Sequence, residues 1–134
     1  MLSHSNINQL KKIFTEADNV LLVFMIGSVL HGEQHEESDV DVAVLFKIKP
    51  GYDERLELIN KIEDIFNQEV DLGILNDASP VFRYQVISKG KLIYMKDSKA
   101  RDYFVLKTLN EYSDLSYYRS IQEKNILKGR IFAG

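Results

Sequence analysis

Three features of this 134-residue sequence predict an α+β fold, a small mixed β-sheet with helices packed on it. Short apolar runs alternate with segments whose apolar residues recur every three or four positions, the periods of strand and helix. The order helix, strand, turn, strand, helix, strand combines a direct turn with a helical crossover, which builds a mixed sheet. Three isolated aspartates, Asp39, Asp41 and Asp71, fall on strand segments that are otherwise apolar.

Ile7, Leu10, Phe14 and Ala17 form one helical stripe, and Asn6 with Gln9 reads as its capping pair. Val20–Ile26 is apolar without interruption and is followed by Gly27, as expected of a central strand buried on both faces. Gly27-Ser28 ends it. The segment from Val29 to Ser38, with Gly32 and the acids Glu33, Glu36 and Glu37, reads as an exposed loop. The second strand runs from Asp39 to Phe46, with Val40, Val42, Val44 and Phe46 on one face and Asp39 and Asp41 together on the other.

Pro50-Gly51 precedes a second helical stripe, Leu56, Ile59, Ile62 and Phe66, ending near Asn67. Val70 to Leu75 is the third strand, on which Asp71 shares a face with Gly73, a residue expected to leave open space beside it. Ser79-Pro80 supplies a helix cap and first turn, and Gly90 the end. Lys91–Met95 is a short strand. From Ser98 the stripe Ala100, Tyr103, Leu106, Leu109, Tyr112 and Leu115 predicts a helix continuing with breaks to Leu127, and most of the rings of Tyr103, Phe104, Tyr112, Tyr117 and Tyr118 are expected in the core.

Composition narrows the function. A 45% hydrophobic, 28% charged chain is globular rather than disordered, and one of this length forms a single domain. A net charge of -3, from 17 basic and 20 acidic residues, provides no overall basic footprint for nucleic acid. The absence of cysteine excludes disulfides and thiolate-held zinc. No apolar run reaches the roughly 18 residues of a membrane span, so a cytoplasmic protein is expected.

Two carboxylates on one strand face, roughly 6.6 Å apart, repel by about 2.5 kcal/mol at an effective dielectric of about 20. A divalent cation is the natural compensation. Carboxylate oxygens without His or Cys partners suit Mg²⁺ or Mn²⁺. The Gly27-Ser28 turn after a buried strand adds exposed N–H groups that can hold an anion. The bland alternatives are an exposed strand end for Asp39 and Asp41, a turn cap for Asp71, an incidental loop residue for His31 and solvated charges for Glu33, Glu36 and Glu37.

Gly27-Ser28, ten residues, then Asp39-Val40-Asp41, with Asp71 on a later strand, resembles the polymerase-beta-like nucleotidyltransferase superfamily, and within it the minimal nucleotidyltransferases. The likeness runs from about Leu21 to Tyr112; Val29, Leu30 and His31 stand where many members carry basic residues. It implies a polymerase-beta-like nucleotidyltransferase fold, with a core over about 20–96 and a helical segment over about 98–128. It also implies transfer of a nucleoside monophosphate from a nucleoside triphosphate by a two-metal in-line displacement. In this resemblance Asp39, Asp41 and Asp71 are the catalytic and metal-binding residues, holding two Mg²⁺ or Mn²⁺ ions, and Gly27 and Ser28 hold the phosphates of ATP. Stand-alone members resemble antitoxins that transfer AMP to a tyrosine of a HEPN ribonuclease toxin. A small-molecule transferase of the aminoglycoside type and an idle antitoxin acting by binding are the alternatives.

Overall fold

The computed structural model describes residues 3–27 and 40–133, with side chains described as far as Lys124. The elements are α1 (His4–Glu16), β1 (Val20–Ile26), β2 (Val40–Phe46), α2 (Tyr52–Phe66), β3 (Val70–Ile74), α3 (Pro80–Lys89), β4 (Lys91–Met95) and α4 (Ser98–Ala133). The sheet order is β3-β2-β1-β4. β1 pairs antiparallel with both β2 and β4, whereas β3 joins β2 in parallel after the α2 crossover, so the sheet is mixed as the element order requires. β1 is a central strand, with Leu22, Val23, Phe24 and Met25 all buried.

Helices cover both faces. On one, Leu10 and Phe14 of α1 and Leu58 and Ile62 of α2 pack on Val23, Met25, Val42, Val44 and Leu72. On the other, Val86 of α3 and Phe104 of α4 join Leu22, Phe24, Ala43 and Leu75. Alternation along β2 divides its side chains between these two cores, which places Asp41 on the α3 and α4 side.

Local chemistry sets the element ends. The cap of α1 is Ser3, whose hydroxyl accepts from the Asn6 N–H at 3.1 Å, so the capping residue lies three positions before the expected Asn6. α2 begins after Gly51 without a side-chain cap, and Asp53 and Glu54 in its first turn favour the helix dipole instead. Ser79 caps α3 through the Phe82 N–H, with Pro80 in the first turn and Gly90 closing the helix onto the Val86 carbonyl, as the sequence predicts.

The far end of the sheet is closed by two side chains. Asn76 acts as an extra strand residue, accepting from the Phe46 N–H at 3.0 Å and donating to the Phe46 carbonyl at 2.7 Å. Arg83, only 8% exposed, donates from Nε to the Leu75 carbonyl at 2.9 Å and from Nη2 to the Asn76 carbonyl at 2.6 Å. Its Nη1 lies 3.5 Å from Glu111 on α4, and its guanidinium stands 5.9 Å above the Phe104 ring. Strand, connecting loop and both helices of that face thus meet at one cation.

α4 differs from expectation in two respects. It is a continuous helix of 36 residues, about 54 Å long at 1.5 Å per residue. The aromatic residues expected mostly in the core are mostly outside it: Tyr103, Tyr117 and Tyr118 are 69%, 65% and 63% exposed. Phe104 and Thr108 are the buried residues, and Tyr112 is half-buried in a stack on Tyr84 with centroids 4.0 Å apart. The buried face therefore lies one residue further round the helix than the stripe Tyr103, Leu106, Leu109. The gap above Phe24 is filled by the wholly apolar Phe104, leaving the amphipathic tyrosines to the surface.

Candidate active site

The site residues sit where three chain segments meet at one end of the sheet. β1 ends there, while β2 and β3 begin there. In the register Ile26 pairs with Asp41, and Asp41 pairs with Asp71, so one row runs across three strands. Residues paired across neighbouring strands point to the same face. Asp41 and Asp71 are thereby brought side by side from positions thirty residues apart in the chain. Asp41 is half-buried and Asp71 exposed.

Gly27 turns the chain beside them. Its φ is +89°, in the region that L side chains avoid, and a Cβ placed on it would stand 2.8 Å from Asp41 Oδ2. Glycine is required here both by the backbone angle and by the carboxylate against it. Gly27→Ala is expected to strain the turn by about 1–2 kcal/mol and to push the Asp41 carboxylate aside. The expected result is at least about a tenfold fall in turnover, equivalent to about 1.4 kcal/mol, with only a few degrees lost in a thermal melt; an unchanged rate would separate Gly27 from the site.

Two residues outside the sequence reading support this end of the sheet. Arg55 of α2 donates from Nη2 to the Leu72 carbonyl at 2.9 Å, tethering the edge strand that carries Asp71. Phe82 of α3 lies over Gly73: a Cβ there would meet the Phe82 ring at 3.6 Å, an ordinary contact. The open space expected beside Gly73 is therefore filled by an aromatic side chain. The signal for it was present in the cap, since Ser79 fixes the start of α3 and so the direction of the residue three positions on.

Ser28, Asp39, and the loop with His31, Gly32, Glu33, Glu36, Glu37 and Ser38 lie outside the described residues. Among the described residues no group of three or more His, Cys, Asp or Glu forms a metal cluster, and Asp41 with Asp71 is the pair available. The donor set fits a hard cation: two carboxylates, all oxygen, with no nitrogen or sulfur ligand.

Carboxylates aimed together at a strand-end turn offer a place for a cation and for the phosphates it neutralises, the working core of a nucleotide-handling transferase. Residues 8–99 match the family described as Polymerase beta, Nucleotidyltransferase; the chain belongs to that family and is a nucleotidyltransferase. Over 116 residues it is 33% identical to Protein adenylyltransferase MntA of Shewanella oneidensis, covering 84% of this chain and 83% of that protein. Among solved structures, a chain of a toxin–antitoxin crystal structure with AMP-PNP matches at TM-score 0.75 and 29% identity, covering 91% of this chain and 98% of that one. A chain of the complex of tri-AMPylated Shewanella oneidensis HEPN toxin with MNT antitoxin matches at TM-score 0.72 and 26% identity, covering 94% of this chain and 99% of that one.

Proposed function

We propose that this protein is an antitoxin that transfers AMP from ATP to a tyrosine hydroxyl of a partner HEPN-type toxin and thereby silences it. The observation that carries the reading is the Asp41–Asp71 row beside the Gly27 turn, in a chain similar over nearly its whole length to chains of toxin–antitoxin complexes.

Asp41 and Asp71, with Asp39, are assigned to two divalent cations, Mg²⁺ or Mn²⁺. Bound there, the cations supply charge neutralisation at the reacting phosphate and make the acceptor hydroxyl nucleophilic near neutral pH. Gly27 and Ser28 hold the β and γ phosphates with the N–H groups of the turn. Asp71 meets the incoming tyrosine and accepts its proton, a role that its exposure at the start of an edge strand supports. The hydroxyl oxygen then forms a bond to the α-phosphorus, and the bond to the bridging oxygen of pyrophosphate breaks. Because the acid row opens at a sheet end, the partner itself closes the site and excludes water.

The chain works as one nucleotidyltransferase domain in the cytoplasm, without nucleic acid or a membrane. No helix among the described residues is long and apolar enough to cross a membrane. The test is transfer of label from ATP, with Mg²⁺, to the partner toxin, α-labelled and γ-labelled ATP being run in parallel. Label from the α position alone, with a mass increase of whole AMP units on a toxin tyrosine, is the expected result. Tight association without any transfer would overturn the reading in favour of occlusion; label on a small-molecule acceptor alone would overturn it in favour of that class.

A further inference from the structure

The end of the sheet remote from Asp41 holds a second concave site. A cavity of about 320 Å³ opens there between the start of β1, the end of β2 and the first turns of α4. Lys47, which lines it, is six residues beyond Asp41 along the same strand direction, about 20 Å away at 3.3 Å per residue. This cavity is therefore separate from the acid row.

Its chemistry is one-sided. Lys47, Arg83 and Lys107 line it, with Leu21 and Leu45 as an apolar floor and Tyr103 at the exposed rim; no described lining residue is a carboxylate. Arg83 is a buried, fixed cation, held by the Leu75 and Asn76 carbonyls and meeting its one carboxylate, Glu111, only at 3.5 Å. Neither lysine forms an ion pair with a described carboxylate, although the nearby Lys49 is paired with Asp77. Lys107 instead stands 5.9 Å over the Tyr103 ring. Two exposed lysines and one buried, carbonyl-held guanidinium face one hollow, so an anion entering it gains charge pairing with all three, the more so beside the buried Arg83.

We propose that this cavity binds a small aromatic organic anion of nucleoside monophosphate size, its anionic group against Lys47 and Lys107 near the Arg83 guanidinium and its flat body along Tyr103, Leu21 and Leu45. The volume is at the lower end of the roughly 300–1,000 Å³ range of small-molecule sites, which suits one ring system with one charged group. Tyr103 belongs to the aromatic set that the core does not absorb; among the described residues its ring meets Lys107 but no other ring, and a ligand ring would supply one.

The probe is AMP, titrated into the isotope-labelled full chain in EDTA so that no divalent cation serves the acid row, with amide resonances as the readout. Saturable shifts at Lys47, Asn76, Ala100 and Lys107 are expected, with affinity at least tenfold above that of adenosine or inorganic phosphate alone. K47E/K107E changes two exposed side chains, so its spectrum should otherwise overlay that of the parent, while AMP affinity falls at least tenfold. Absence of shifts at these amides, shifts confined to the surroundings of Gly27, Asp41 and Asp71, or binding untouched by K47E/K107E would each overturn the proposal. The measurement involves neither ATP nor a toxin, so its failure leaves the transferase reading standing, and the converse also holds.

Discussion

Asp41→Asn is expected to abolish adenylyl transfer while leaving the fold and partner binding intact. Asn keeps the volume and the strand position but removes the charge that the proposed mechanism assigns to a cation. Metal stabilisation of a transferring phosphoryl group contributes several kcal/mol, and each 1.4 kcal/mol is a factor of ten, so a loss of about a thousandfold is expected. Asp41 stands in one row with Asp71, and like charges on neighbouring strands oppose each other. Removing one charge relieves that repulsion, and Asn keeps hydrogen-bonding atoms at the position, so the melting temperature should move by no more than a few degrees. Asp71→Asn should behave in the same way, with a smaller effect on stability because the side chain is exposed. The proposed role makes the two acids one unit, so the double variant should cost little more than either alone. Initial rates with labelled ATP, a thermal melt and a pull-down of the toxin check all three statements. Transfer within tenfold of the parent would remove Asp41 from the site, and a silent variant that still neutralises its toxin would show that binding is sufficient.

The acid row was legible because strand periodicity and side-chain chemistry pointed the same way. Val40, Val42 and Val44 take one face of β2, so Asp41 has to take the other; the same alternation orients Asp71 opposite Leu72. What the sequence could not supply was the pairing of β2 with β3, which depends on how the α2 crossover returns the chain. The register Asp41 to Asp71 is a tertiary result. The long helix shows the opposite failure. Tyr103, Leu106 and Leu109 have helical spacing and high apolar content, yet the burial lies on Phe104 and Thr108. A helix with apolar residues on more than one face has no single stripe to read, and the choice falls to the shape of the sheet beneath, here the space next to Phe24. Gly73 failed for a related reason, because a missing side chain reports a gap in its own strand and not what fills it from α3. Arg83 is harder still. A lone arginine in an amphipathic segment has no pattern, and its partners are backbone carbonyls that carry no sequence signal.

Arg83→Met should produce a large stability loss at the far end of the sheet. Burying a guanidinium costs several kcal/mol, which the native geometry offsets with two backbone carbonyls, Glu111 and the Phe104 ring. Methionine preserves much of the volume and removes that cost. It also removes the guanidinium donor from the Asn76 carbonyl and leaves the Leu75 carbonyl with the Ala78 N–H at 3.3 Å, at up to about 1–3 kcal/mol for each lost bond where no water reaches it. The net destabilisation is expected to be about 3 kcal/mol, or a fall of about 10 °C in melting temperature for a domain of this size. Arg83→Lys tests the geometry rather than the charge, because one ammonium cannot reproduce the planar fork that reaches both carbonyls; it should recover less than half of the loss. Catalysis should follow a different course. The acid row lies about 17 Å from the Phe46 end of β2, five residues at 3.3 Å each, so turnover measured well below the melting temperature should stay within about twofold of the parent. A destabilisation below about 1 kcal/mol would mean that water replaces the lost donors, and that the apolar packing of Val86 and Phe104 on the sheet, with the Tyr84–Tyr112 stack between α3 and α4, suffices to hold that end together.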